Sequence, residues 1–162
     1  MATRVDFVLH TAVKSAPQGR QGYWLMELSA KSGCVLVADS HPAMLGAVRS
    51  LLEGMFESVV MVGDEASLLA AIPRLRPDLV VVDLSLPVAG QPYIVRRLGE
   101  KFPGLKMIVL SVHSETEAVR AVMCEGAAGF VLKRTAVTDL GEAVDAIRAG
   151  GVYVSPTVDF QS

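Results

Sequence analysis

Pro-Asp-Leu-Val-Val-Val-Asp-Leu-Ser-Leu-Pro, residues 77–87, is the stretch on which the reading of this chain turns. Its centre, Leu79 to Val82, is an unbroken run of strand-forming apolar residues with no polar alternation. Such a run fits a strand covered on both faces, as in a parallel sheet. The run ends on Asp83, and Pro87 closes the turn behind it. Working outward, similar bursts occur at Cys34–Ala38, Val59–Val62, Met107–Leu110 and Phe130–Leu132. Helical patterns lie between them. Leu45, Val48, Leu52 and Met55 share one helical face; Leu68, Leu69 and Ile72 share another. Leu140, Ala143, Val144 and Ile147 complete the i, i+3, i+4, i+7 series. Ser114-Glu115-Thr116-Glu117 has capping-box form, Gly126 suits a helix stop, and Pro92 suits a first helical turn. Strand and helix alternating five times predict an α/β, doubly wound, five-stranded parallel sheet in the flavodoxin-like order 2-1-3-4-5.

Composition narrows the class. In 162 residues, 15 Lys+Arg face 17 Asp+Glu, a net charge of −2 that argues against a generic basic nucleic-acid or membrane-surface binder. Apolar residues reach 51%, yet no run approaches the roughly 18–20 residues of a membrane span. Charge at only 20% also excludes disorder as the dominant state. Cys34 and Cys124 match no metal spacing and read as small buried hydrophobes in a reducing compartment. Residues 1–33 lack periodicity and read as a flexible leader; no signal-peptide core is visible, so a cytoplasmic location is expected.

In a doubly wound sheet, function gathers at the carboxyl ends of the strands. Here those ends carry Asp39 and Ser40 after strand one, Asp83 and Ser85 after strand three, Ser111 after strand four and Lys133 after strand five. Two carboxylates can hold Mg²⁺, and one of them can attack a phosphoryl group. A hydroxyl and an ammonium can then bind the phosphoryl oxygens. Taken singly, each residue has a plainer role: a cap or turn former for Asp39, a solvated surface residue for Lys133, core for Phe130. Their joint placement makes the case. His10, His41 and His113 show no metal-ligand spacing and read as incidental.

From about residue 33 to 157 the chain resembles the receiver domain of two-component response regulators, more narrowly the NarL/FixJ (LuxR-type) subfamily. The segments that carry the likeness are 35–42, 77–87, 108–111, 125–133 and 146–156. The resemblance implies that Asp83 is the phosphoacceptor for a histidine kinase or phosphotransfer protein. It implies that Asp39, Asp83 and the backbone carbonyl of Ser85 hold Mg²⁺. Ser111 is then the switch hydroxyl, Phe130 the aromatic that turns inward with it, and Lys133 the phosphoryl-binding lysine. The output surface is the fourth helix, fifth strand and fifth helix, and its output is the control of transcription.

Two departures bear on this. Ser40 stands where the family has a second acid, the one expected to touch the metal, so Mg²⁺ binding is expected to be weak. The loop after Pro87, Val88-Ala89-Gly90-Gln91, lacks the usual glycine at its expected place, its Gly90 being shifted by one residue. Two readings stay open: a phosphorylatable receiver, or a phosphorylation-independent pseudo-receiver acting as a protein-interaction or dimerisation module. Neither is an enzyme. An aspartyl phosphatase wants an acid where Ser85 stands, and a nucleotide carrier wants a Gly-rich loop where Asp39–Pro42 stands. The expected organisation is leader 1–33 and receiver 34–157. Only six residues follow Pro156, so no effector domain is expected in this chain. Homodimerisation is possible, and neither direct nucleic-acid binding nor membrane contact is expected.

Overall fold

The structure is a computed structural model that describes residues 31–88 and 94–158. All described elements but residue 31 fall in one unit, Ser32–Ser162. The expected leader lies outside the described residues except for its last three, as do the Pro92 helix start and the glycine at position 90.

The elements run β1 (Cys34–Ala38), α1 (Pro42–Glu53), β2 (Ser58–Val62), α2 (Glu65–Leu75), β3 (Leu79–Asp83), α3 (Ile94–Lys101), β4 (Met107–Ser111), α4 (Thr116–Cys124), β5 (Gly129–Leu132), α5 (Ala136–Arg148) and β6 (Tyr153–Val154). A turn of 3-10 helix, Lys133–Thr135, joins β5 to α5. The sheet order is β2-β1-β3-β4-β5-β6, and every pairing is parallel. The expected order therefore stands, with one correction: a sixth, two-residue strand extends the sheet beyond β5. It was illegible because two residues carry no periodicity, and its pairing of Tyr153 with Gly129 is set by the turn after α5.

Strand residues alternate between two cores. Leu36, Val80, Val82, Val109, Phe130 and Leu132 face α2, α3 and α4, meeting Leu68, Ile94, Leu98, Val119 and Val122. Val35, Val37, Val81, Ile108, Leu110 and Val131 face the other way, meeting Val48 and Leu52 of α1 and Leu140, Ala143, Val144 and Ile147 of α5. Burial on both faces explains why the strands read as unbroken apolar runs. Gly129 sits where a Cβ would lie 3.0 Å from side-chain atoms of both Ile108 on β4 and Ile147 on α5, so any side chain there requires these neighbours to give way.

Other local expectations need correction. The capping box at Ser114 does not form: the N-cap of α4 is Glu115, whose carbonyl accepts the first helical bond, from the Val119 N–H. Gly126 does follow the helix, with φ +105. Neither cysteine is a buried hydrophobe: Cys34 is half-buried at the start of β1, Cys124 is exposed at the end of α4, and both are free thiols. Each lies at an element end, where the burial expected from an interior position does not apply.

Candidate functional site

Register brings the predicted residues together. Ala38 pairs with Val82, so Asp39 and Asp83 leave adjacent strands at one level. Asp83 pairs with Leu110, and Ser111 with Leu132, which places Ser111 and Lys133 at the same sheet edge. Asp39, Asp83 and Ser111 are all buried, each exposing no more than 2% of its surface.

Lys133 joins the two carboxylates. Its Nζ lies 2.7 Å from Asp83 Oδ2 and 3.1 Å from Asp39 Oδ2. Both pairs are almost wholly shielded from water, so each ion here depends on the others for the solvation it has lost. The Ser85 N–H donates to Asp83 Oδ1 at 2.9 Å, and the Ser85 hydroxyl lies 2.9 and 2.8 Å from Oδ1 and Oδ2. Burial alone would raise the Asp83 pKa. The hydrogen bonds from Lys133 and Ser85, with the ammonium's charge, outweigh it and hold the carboxyl below the usual range. Burial likewise opposes the Lys133 ammonium, but Asp83 and Asp39 hold its pKa above the ordinary lysine value. At neutral pH the Asp83 carboxylate and the Lys133 ammonium are therefore both charged.

Ser111 lines the same edge, its Oγ accepting from the His113 N–H at 3.0 Å. A cavity of about 280 Å³ opens beside Asp83, bordered by Ser85, Ser111 and His113 and floored by Val122 of α4. Phe130, expected to turn inward on switching, is already wholly inside the core shared with α4.

Ser40 is exposed, and its hydroxyl lies 3.4 Å from His41 Nδ1. The histidine, read as incidental in the sequence, sits beside both carboxylates. Its Nδ1 lies 3.3 Å from Asp39 Oδ1 and 3.5 Å from Asp83 Oδ2, so Asp39, His41 and Asp83 form a possible metal-binding group. The spacing Asp39-x-His41 was the only local signal, and it says nothing of Asp83, which arrives from another strand. His113 lines the cavity, and His10 lies outside the described residues.

A second polar cluster was also missed. The fully buried Ser155 accepts from the Leu132 N–H at 3.0 Å and donates to Asp139 Oδ2 at 2.5 Å. Thr135 donates to the same oxygen at 2.5 Å. Burial works against the charge of Asp139, yet these hydroxyls hold its pKa below the usual carboxylate range. Tyr153, half-buried beside it, is pushed up to about 12 by burial and by the charges of Asp139 and Glu142. The cluster latches the segment after α5 to the peptide that precedes Lys133.

The residues at this edge fit a divalent cation in part. Two buried carboxylates are present, but the third acid-bearing position offers only an exposed serine hydroxyl. Among the described residues no helix is long and apolar enough to cross a membrane.

Comparison with known proteins agrees with this arrangement. The family described as response regulator receiver domain matches residues 35–145. The transcriptional regulatory protein DegU of Brevibacillus brevis is 29% identical over 126 residues, covering 76% of this chain and 53% of DegU. The transcriptional regulatory protein RcsB of Escherichia coli (strain K12) is 33% identical over 132 residues, covering 76% of this chain and 60% of RcsB. The chain thus spans little more than half the length of these relatives. Among solved structures, the isolated REC domain of RcsB from Salmonella enterica serovar Typhimurium with phosphomimetic BeF3- superposes with TM-score 0.70 at 28% identity, covering 79% of this chain and 96% of that one. The non-phosphorylated receiver domain of RcsB from Escherichia coli gives 0.68 at 30% identity, covering 77% and 99%. By the extent of that family match and the sheet edge it encloses, the chain belongs to the response regulator receiver domain family.

Proposed function

We propose that Asp83 accepts a phosphoryl group from a phosphohistidine donor, a histidine kinase or phosphotransfer protein, and that the acyl phosphate switches a protein-interaction surface. The observation that carries the reading is the anionic, buried Asp83 carboxylate held by Lys133 beside a cavity that Ser111 also lines. In the transfer, an Asp83 oxygen forms the new O–P bond while the donor's P–N bond breaks, and the imidazole leaves with the electron pair. Lys133 neutralises charge on the phosphoryl oxygens, and the Ser111 hydroxyl donates to one of them. Asp39, Asp83 and the Ser85 carbonyl would hold a divalent cation, which supplies further charge neutralisation when bound. Phe130 shares a core cluster with Val119 and Val122 of α4 and lies on β5, the strand that pairs with Ser111's own. The output surface is α4, β5 and α5. The relatives' role as transcriptional regulators favours control of transcription as the output, exerted from the cytoplasm without DNA contact by this unit. The domain is read as a signalling module, not an enzyme.

A phosphate-independent role is favoured by one feature: the Ser85 hydroxyl lies within hydrogen-bonding distance of both Asp83 oxygens. Incubation with acetyl phosphate and Mg²⁺, followed by intact-mass and peptide mapping, separates the two. One phosphoryl group on Asp83, lost in Asp83→Asn, is the expected result. An unmodified wild-type chain, or labelling retained by Asp83→Asn, overturns it.

A further inference from the structure

We infer that His41 gives this receiver a nitrogen ligand, so that its cation site selects borderline transition cations such as Mn²⁺ or Co²⁺ over Mg²⁺. The inference rests on the receiver reading and concerns the same sheet edge. His41 follows Ser40 directly, and its Nδ1 faces both buried carboxylates, 3.3 Å from Asp39 Oδ1 and 3.5 Å from Asp83 Oδ2. Donor atoms on one divalent cation, at bond lengths of about 2.1 Å, lie about 3.0–3.4 Å apart in octahedral or tetrahedral arrangement. The observed separations are near that range, and all three donor atoms lie within 4.8 Å of one another.

The neighbouring bonds leave these donors usable. Lys133 takes Asp39 Oδ2 and shares Asp83 Oδ2 with the Ser85 hydroxyl, whose single proton can go instead to Asp83 Oδ1 at 2.9 Å and so leave Oδ2 a lone pair for a cation. The Ser40 hydroxyl, 3.4 Å from His41 Nδ1, is exposed and can turn to solvent. Asp39 Oδ1 is fixed in direction by the His41 N–H at 2.8 Å, so the residue that supplies the nitrogen also orients the first oxygen. His41 is the N-cap of α1, with no side-chain capping bond to lose. Its ring is 64% exposed, which leaves room for the waters that complete a coordination shell. A site of all-oxygen donors suits Mg²⁺, whereas an imidazole beside carboxylates suits Mn²⁺, Co²⁺ or Zn²⁺. The loss of a carboxylate at position 40 acts in the same direction, since Mg²⁺ loses more than a softer cation does.

The test titrates the full, tag-free chain with Co²⁺, Mn²⁺ and Mg²⁺ as wild type, His41→Ala and Ser40→Asp, and records pulsed electron spin resonance of the Mn²⁺ complex. The expected result has three parts. His41→Ala weakens Co²⁺ binding at least about tenfold while changing Mg²⁺ less than about twofold. Nitrogen modulation appears in the wild-type Mn²⁺ signal and vanishes in His41→Ala. Ser40→Asp tightens Mg²⁺. If Ser40→Asp tightens Mg²⁺ while His41→Ala leaves Co²⁺ and the nitrogen signal unchanged, the histidine is only an ion-pair partner and the inference falls alone. If neither wild type nor Ser40→Asp binds any of the three cations, the receiver metal site falls with it.

Discussion

Replacing Lys133 by methionine should convert the sheet edge from a balanced cluster into two facing carboxylates. Asp39 and Asp83 are 2% and 1% exposed, and their facing oxygens lie within 4.8 Å. At an effective dielectric of about 20, two like charges about 5 Å apart repel by roughly 3 kcal/mol. Removing one partner of a buried ion pair costs about 3–5 kcal/mol at neutral pH, and this repulsion is a large part of it. The sign with pH distinguishes this from ordinary loss of packing. In the wild type the folded-state pKa of Asp83 is below its unfolded value of 3.8, so its contribution is present above that value and is lost as pH falls through the folded pKa. Lys133, with its pKa raised from 10.5, contributes below that value and loses its contribution as pH rises through the folded pKa. In Lys133→Met, burial and the facing Asp39 charge should instead raise the Asp83 carboxyl above its unfolded value. The destabilisation is then full near pH 7 and shrinks as pH falls toward about 4. Urea unfolding of wild type, Lys133→Met and Lys133→Met/Asp39→Asn across this range measures it. The double variant should recover about 2–3 kcal/mol at pH 7. A loss that is equal at every pH and is not recovered by Asp39→Asn would refute the electrostatic account.

Three further outcomes follow from packing and backbone. Gly129→Ala places a Cβ 3.0 Å from Ile108 and Ile147 and should cost about 1–3 kcal/mol in urea unfolding, with the larger Gly129→Val worse. Ser155→Ala leaves the Leu132 N–H without its partner and strips one hydroxyl from Asp139, so it should destabilise by about 1–3 kcal/mol and speed exchange of the Leu132 amide. Arg76, the non-glycine residue with φ +47, ends α2 in the left-handed region just before Pro77, and Arg76→Gly should raise stability by about 1 kcal/mol; an unchanged or lower melting temperature would contradict this.

The sheet and most of its helices were legible because each strand is apolar on both faces. Leu79–Val82 shows that pattern without interruption, and the register that follows from it carries Asp39 and Asp83 to one level. Ser111 and Lys133 were legible for the same reason, as the first polar residues to break the apolar runs of β4 and β5. What escaped depends on contacts that no local pattern encodes. The His41 imidazole meets Asp83 only after β1 and β3 pair. The bond between Asp139 and Ser155 links residues on opposite sides of the turn after α5, and neither residue type stands out in its own segment. The α4 start moved from Ser114 to Glu115 because a backbone bond, which any residue supplies, set it.

The latch around Ser155 also has a mechanical meaning. Ser155 donates its own N–H to the Phe130 carbonyl and receives the Leu132 N–H on its hydroxyl, so the C-terminal strand is tied at two rungs to the residues just before Lys133. Tension applied to the chain after Ser155 would meet these two rungs first, and through them β5 and the backbone that leads into Lys133. Conversely, a small displacement of the lysine's backbone appears as a displacement of the chain's exit. Parallel rungs loaded together resist shear better than rungs loaded one at a time, so this short strand is a stiff lever where a longer flexible linker would be a spring.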